Sequence, residues 1–125
     1  MDAEWKWDFA YQILPKMLWA TLNTIMAAGI GYAIAVVVGL IFLIGQRTPY
    51  KVINILVREI VEFIRSTPLL IQLFFLYFVG PQFGIILSAW VTAMITIGLH
   101  FGTYLSEVYR GALEGVPKSQ WEACR

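Results

Sequence analysis

Residues 66 to 106 read STPLLIQLFFLYFVGPQFGIILSAWVTAMITIGLHFGTYLS, forty-one positions without an Asp, Glu, Lys or Arg. Crossing ~30 Å of hydrocarbon as helix takes about 20 apolar residues. The stretch is therefore long enough for two crossings, and Gly80-Pro81 near its middle predicts a tight turn between them. Upstream, Met17 to Gln46 supplies a further thirty uncharged residues. The expected fold is all-α and integral to a membrane, with three transmembrane helices at about 17–45, 58–79 and 84–110.

Composition agrees with that reading and narrows the function. The 125 residues are 59% hydrophobic and 14% charged, with a mean hydropathy of +0.71, too apolar for a soluble domain of this length. A net charge of +1 gives no electrostatic case for nucleic acid. The single cysteine, Cys124, excludes an internal disulfide and has no companion for a metal site, so no metal and no cofactor is expected. The first hydrophobic run is longer than a signal h-region and follows Asp2, Glu4 and Asp8, which predicts a retained span.

Orientation follows from the basic residues. Arg47, Lys51, Arg58 and Arg65 lie between the first two spans, and Arg110, Lys118 and Arg125 follow the third, whereas the turn at 80–84 has none. The positive-inside rule then places residues 46–57 and 111–125 in the cytoplasm and the N-terminus outside. Trp5, Trp7, Tyr11 and Trp19 suit an outer interfacial belt in contact with membrane lipid. In span one, Ala27, Gly31, Ala35 and Gly39 form a ladder of small residues at four-residue spacing, which predicts a closely packed helical neighbour.

Lys51 to Arg65 carries apolar residues at helical spacing, with charges placed for Arg58–Glu62 and Glu62–Arg65 pairs. Thr67-Pro68 interrupts it. Proline pushes Thr67 out of the α region and itself suits the first position of a helix capped by Thr67. The span is expected to bend at Pro68 and to hold Arg65 near the inner interface, where it snorkels or meets a partner.

Span three bears a polar line at three- and four-residue steps: Ser88, Thr92, Thr96, His100, Thr103 and Glu107. An ionisable residue inside the membrane points to a solute route, which makes Thr96, His100, Thr103 and the neighbouring Tyr104 candidate pathway residues. The alternative is a hydroxyl stripe bonded to its own helix carbonyls, with His100 satisfied by an adjacent helix. Gln72 reads as an interhelical hydrogen bond rather than a ligand. HExxH, GxSxG and a Walker A lysine are all missing, as is any carboxylate pair inside the membrane, so the chain is not expected to be an enzyme.

After Ser106 six charges arrive at helical intervals, from Glu107 to Arg125. Gly115 and Pro117 predict the end of span three near Glu114. Ser119-Gln120-Trp121-Glu122 then forms a capping box, so a cytoplasmic helix should begin over 119–125 and present Trp121 to a partner.

Two blocks, RSTPLLIQLFFLYFVGP (65–81) and GTYLSEVYRGALEGVPKSQWEACR (102–125), resemble the permease subunits of bacterial ABC importers for polar amino acids, the histidine, glutamine and arginine uptake type. The opening DAEWKWDFAYQILP is also similar to permeases for ectoine-like compatible solutes. The resemblance implies a type I importer permease of five helices, of which this chain carries three and stops inside the fourth element, as a C-terminally truncated chain would. It implies that Gln120, Trp121, Glu122, Ala123 and Cys124 open the EAA loop, a helix that docks into the ATP-binding subunit. Arg65, Pro68, Glu107, Arg110, Gly111 and Pro117 fall on structural positions of the family motif, while Ser119 replaces a common glycine and Cys124 a usual alanine. The implied partners are an ATP-binding cassette subunit, a second permease subunit in a homo- or heterodimer, and a periplasmic or lipoprotein solute-binding protein. ATP hydrolysis would lie on the partner, in a bacterial inner membrane. A non-functional permease remnant and a small membrane scaffold protein are the competing readings.

Overall fold

A computed structural model describes residues 6–117 and 119–120. Its elements are α1 (Trp7–Gln46), α2 (Lys51–Ser66), α3 (Leu69–Phe74) and α4 (Ala89–Glu114). Helix α3 runs on into a π turn at Phe75–Val79 and a 3-10 turn at Gly80–Phe83. Among the described residues α1 alone is long and apolar enough to cross a membrane, and α2 with α3 and its continuation makes a second candidate only as a bent pair.

Helix α1 starts ten residues before the expected boundary and holds Pro15 inside it. Pro15 forfeits one hydrogen bond to the carbonyl of Tyr11, a residue 70% exposed. At 40 residues and 1.5 Å per residue the helix is ~60 Å long, about twice a hydrocarbon core. Trp7, Tyr11 and Trp19 are all exposed along its N-terminal part; Trp5 lies outside the described residues.

The neighbour predicted by the small-residue ladder is α4. Gly31, Ala35 and Gly39 are buried, and Ala27 is partly so. The packing is reciprocal. A Cβ on Gly31 would sit 2.6 Å from Ile97 Cγ2, and one on Gly102 would sit 2.7 Å from Val38 Cγ1. A Cβ on Gly98 would collide with Ile34, and one on Gly39 would lie 3.0 Å from the Gly102 carbonyl. Each helix thus supplies gaps that take the other's β-branched side chains, and the backbones approach closely because nothing larger intervenes. The Gly98, Gly102, Ser106 series on α4 is the matching half of this contact, and all three residues are buried.

The second span departs from the single bent helix expected at 58–79. The chain turns by 102° between α2 and α3. Thr67 is extended at φ −92°, ψ 128°, as its place before proline requires. Pro68 (φ −56°, ψ 135°) is the residue before the first helical position, one step earlier in the helix than expected, and Leu69 begins α3. The Thr67 hydroxyl donates to the Phe63 carbonyl at 2.8 Å instead of capping α3.

Helix α2 shows three faces. Asn54, Val57, Val61 and Ile64 turn inward, with Val61 2% exposed. Arg58, Glu62 and Arg65 share a second face by helical spacing. Val52, Ile53, Leu56, Ile60 and Phe63 form a third, apolar and exposed.

The turn expected at 80–84 is present, with Gly84 at φ 81° closing it and Ile85 N–H donating to the Gly80 carbonyl at 3.0 Å. Helix α4 begins at Ala89 rather than 84, because residues 85–88 run without helix and Ser88 Oγ accepts the cap bond from Val91 N–H at 3.3 Å. It ends at Glu114 as predicted, although Gly115 (φ −75°) stays right-handed.

Candidate functional site

The polar line of α4 faces inward. Thr92, Thr96, His100 and Thr103 are 1%, 3%, 8% and 0% exposed, and Ser106, which the sequence reading passed over, is 0% exposed. The hydroxyls are spent locally: Thr92 Oγ1 donates to the Ser88 carbonyl at 2.9 Å, and Thr96 Oγ1 to Thr92 at 2.7 Å. Thr103 Oγ1 donates to the His100 carbonyl at 2.6 Å and Ser106 Oγ to Thr103 at 2.7 Å. Back-bonding of this kind satisfies a hydroxyl where no water reaches it.

His100 is held by a different helix. Its Nδ1 lies 3.1 Å from Gln72 Nε2, the interhelical contact expected of Gln72. The same amide nitrogen donates to the carbonyls of Ile64 at 2.6 Å, which also accepts from Thr67 N–H at 3.3 Å, and of Thr67 at 2.9 Å, at the end of α2 before the break at Pro68. Tyr104 and Phe101 stack obliquely and edge-on against His100, at 5.3 and 5.4 Å between ring centroids. Beside this cluster a cavity of about 360 Å³ opens between α4 and the α2–α3 break, with Gln72, Thr96, Phe75 and Leu99 on its wall. Gln72 Oε1 is buried there without a hydrogen-bond partner among the described residues.

A second cluster joins α1, α2 and α4. Gln46, 2% exposed at the end of α1, donates from Nε2 to Glu107 Oε1 at 3.0 Å. Its carbonyl accepts a hydrogen bond from Asn54 Nδ2 of α2. Glu107 Oε2 pairs with Arg110 Nη2 at 2.6 Å, and Arg110 Nη1 reaches Glu114 at 3.1 Å. The pairs expected within α2 do not form: among the described residues Arg58 and Glu62 make no ion pair, because both point toward α4 around a cavity of about 190 Å³ shared with Arg65, Glu107 and Arg110. Arg65 lies over the Tyr104 ring at 5.0 Å from its centroid, a cation–π contact, and its Nε is buried without a partner. Gln46 and Asn54 carry this junction although neither stood out in the sequence. Their signal was slight: two amides at the ends of adjoining helices.

The structure therefore brings Arg65, Tyr104, Glu107 and Arg110 together, and sets His100 and Thr96 around Gln72. Pro68 stands at the break, and Gly111 has open space where a Cβ would go. Beyond α4, Gln120 N–H donates to the Pro117 carbonyl at 3.0 Å, and both Ser119 and Gln120 are helical. Trp121, Glu122, Ala123 and Cys124 lie outside the described residues, and with them the Ser119–Glu122 capping box.

This geometry has relatives. Residues 31–125 match the family model of the binding-protein-dependent transport system inner membrane component. The chain is 42% identical over 119 residues to a probable amino-acid ABC transporter permease protein, y4tG, of Sinorhizobium fredii, covering 94% of this chain and 51% of that one. It is 30% identical over 118 residues to the L-cystine transport system permease protein TcyB of Bacillus subtilis, covering 94% and 50%. A solved structure described as an amino acid ABC transporter with histidines superposes with a TM-score of 0.72 at 27% identity, covering 90% of this chain and 56% of that chain. The chain spans about half the length of the curated relatives it matches. By the family match over 31–125 and by its fold, the chain belongs to the inner membrane components of binding-protein-dependent transport systems, the permease side of such a system and not its ATPase.

Proposed function

We propose that the chain forms the N-terminal part of the membrane subunit of an ATP-driven importer for a polar amino acid or a related compatible solute. The observation that carries this reading is the 42% identity with a probable amino-acid permease across 94% of the chain. Three spans are assigned: α1, the α2–α3 pair and α4, with the N-terminus outside and residues 46–57 and 111–125 in the cytoplasm. The partners are an ATP-binding cassette subunit, a second permease subunit and a solute-binding protein. The solute route follows the side of α4 that carries Thr96, His100 and Tyr104, backed by Thr103.

Coupling runs through residues 119–125. Helix α4 leads through Gly115 and Pro117 directly to the helical turn at Ser119–Gln120. A helix presenting Trp121 and Glu122 seats on the ATP-binding subunit, so that ATP-driven motion there reorients the spans. Cysteines placed singly at positions 120 to 123, in the permease coexpressed with its ATP-binding subunit, should cross-link to that subunit. Cross-linking absent at all four positions overturns the docking assignment.

A further inference from the structure

We propose that the pocket between α2 and α4 binds the phosphate headgroup of an anionic phospholipid, with Arg58 and Arg65 as the phosphate-contacting groups. The pocket, about 190 Å³, is walled by Arg58, Glu62, Arg65, Glu107 and Arg110. Its charges are not equally engaged. Glu107 and Arg110 are committed to each other, and Arg110 also to Glu114. Arg58 and Arg65 make no ion pair among the described residues, and Arg65 Nε is buried without a hydrogen-bond partner. One carboxylate, Glu62, stands against those two guanidiniums, so the uncommitted charge is positive. Guanidinium donors two turns apart on one helix face, both lining the pocket, match the oxygens of a phosphate group.

The surroundings favour a lipid over a free phosphate ion. On the same helix as Arg58 and Arg65, Val52, Leu56 and Phe63 are 79%, 58% and 72% exposed. Helix α2 thus has arginines on one side and an exposed apolar strip on the other, the layout of a helix lying at a headgroup boundary. An acyl chain lies along that exposed strip; a soluble phosphate has no use for it. Basic pockets between helices at the cytoplasmic leaflet are where anionic headgroups concentrate.

The proposal rests on the membrane placement and orientation of the proposed reading but not on its substrate, so failure of amino-acid transport would leave it standing, and loss of lipid selectivity would not touch the transport reading. The chain in mild detergent is titrated with dioleoylphosphatidylglycerol or dioleoylphosphatidylcholine, and bound lipid is counted by native mass spectrometry. The anionic lipid should bind about thirtyfold more tightly, the size expected of two basic groups. Arg58→Gln with Arg65→Gln should reduce that preference to about threefold or less. Glu62→Gln, which breaks no contact of the fold, should strengthen it and serves as the deciding variant if the double substitution does not fold. Millimolar inorganic phosphate and glycerol 3-phosphate should not displace the lipid. Equal binding of the two lipids, an unchanged preference in both variants, or displacement by inorganic phosphate overturns the proposal, the last in favour of a soluble-anion site.

Discussion

Gln72 and His100 meet 3.1 Å apart across the α3–α4 contact, and the Gln72 amide also donates to the Ile64 and Thr67 carbonyls at the end of α2, on the other side of the break at Pro68. One side chain therefore ties the bend in the chain to the histidine of the polar line. Replacing Gln72 by Leu should destabilise the protein by about 1–3 kcal/mol, because the part-buried Thr67 carbonyl loses its donor and the Ile64 carbonyl keeps only the 3.3 Å bond from Thr67 N–H. Thermal unfolding in detergent measures it. Unfolding at the wild-type temperature would mean that water takes over both carbonyls.

His100→Ala removes a ring but leaves Gln72 bonded to both carbonyls. It should therefore change solute uptake while leaving the amount of assembled permease in the membrane unchanged. Uptake in proteoliposomes and membrane abundance are compared; wild-type uptake would confine the polar line to packing.

The α1–α4 contact predicts a matched pair of glycine effects. Gly102→Ala pushes a methyl to 2.7 Å from Val38 Cγ1, and the overpacking should cost about 1–3 kcal/mol. Adding Val38→Ala should recover part of that loss. Gly111→Ala, where a Cβ meets nothing within 4 Å, should be neutral or stabilising by up to about 1 kcal/mol. Denaturation of the three variants in one detergent distinguishes packing from helix propensity.

Glu107 and Glu114 both pair with Arg110 but differ in setting, with side chains 26% and 59% exposed. Glu107→Ala also strips the acceptor from Gln46, whose Oε1 is already buried without a partner, and should cost about 1–3 kcal/mol. Glu114→Ala should stay within about 0.5 kcal/mol, as exposed pairs do. Equal losses in the two variants would contradict the role given to Gln46.

Much of this was legible from local chemistry. The uncharged runs located the helices, Pro68 located the break, and the ladder at Gly31, Ala35 and Gly39 announced a close neighbour. What local chemistry lacks is angle and partner. A proline before a helix says that Thr67 must extend, but the 102° turn is set by how α2 settles on α1 and α4. The same limit hid the counterpart of the ladder, since Gly98 and Gly102 gain meaning only opposite Ile34 and Val38. For the charged residues of α2, spacing alone suggested pairing along the helix, whereas Arg58, Glu62 and Arg65 line one cavity with Glu107 and Arg110 of α4. The polar line was legible as one face; that its hydroxyls turn back to their own carbonyls was one of two readings the spacing allowed, and burial under the neighbouring helices selects it.

The interlocked glycines of α1 and α4 also limit how these helices can move. Gly31 faces Ile97, Ile34 faces Gly98 and Val38 faces Gly102, like teeth of two racks set into each other. Sliding by a single residue would set side chain against side chain, and the next position that meshes is a full turn away, about 5.4 Å. Short of such a jump, the mesh resists sliding of α1 against α4 over the length from Gly31 to Gly102.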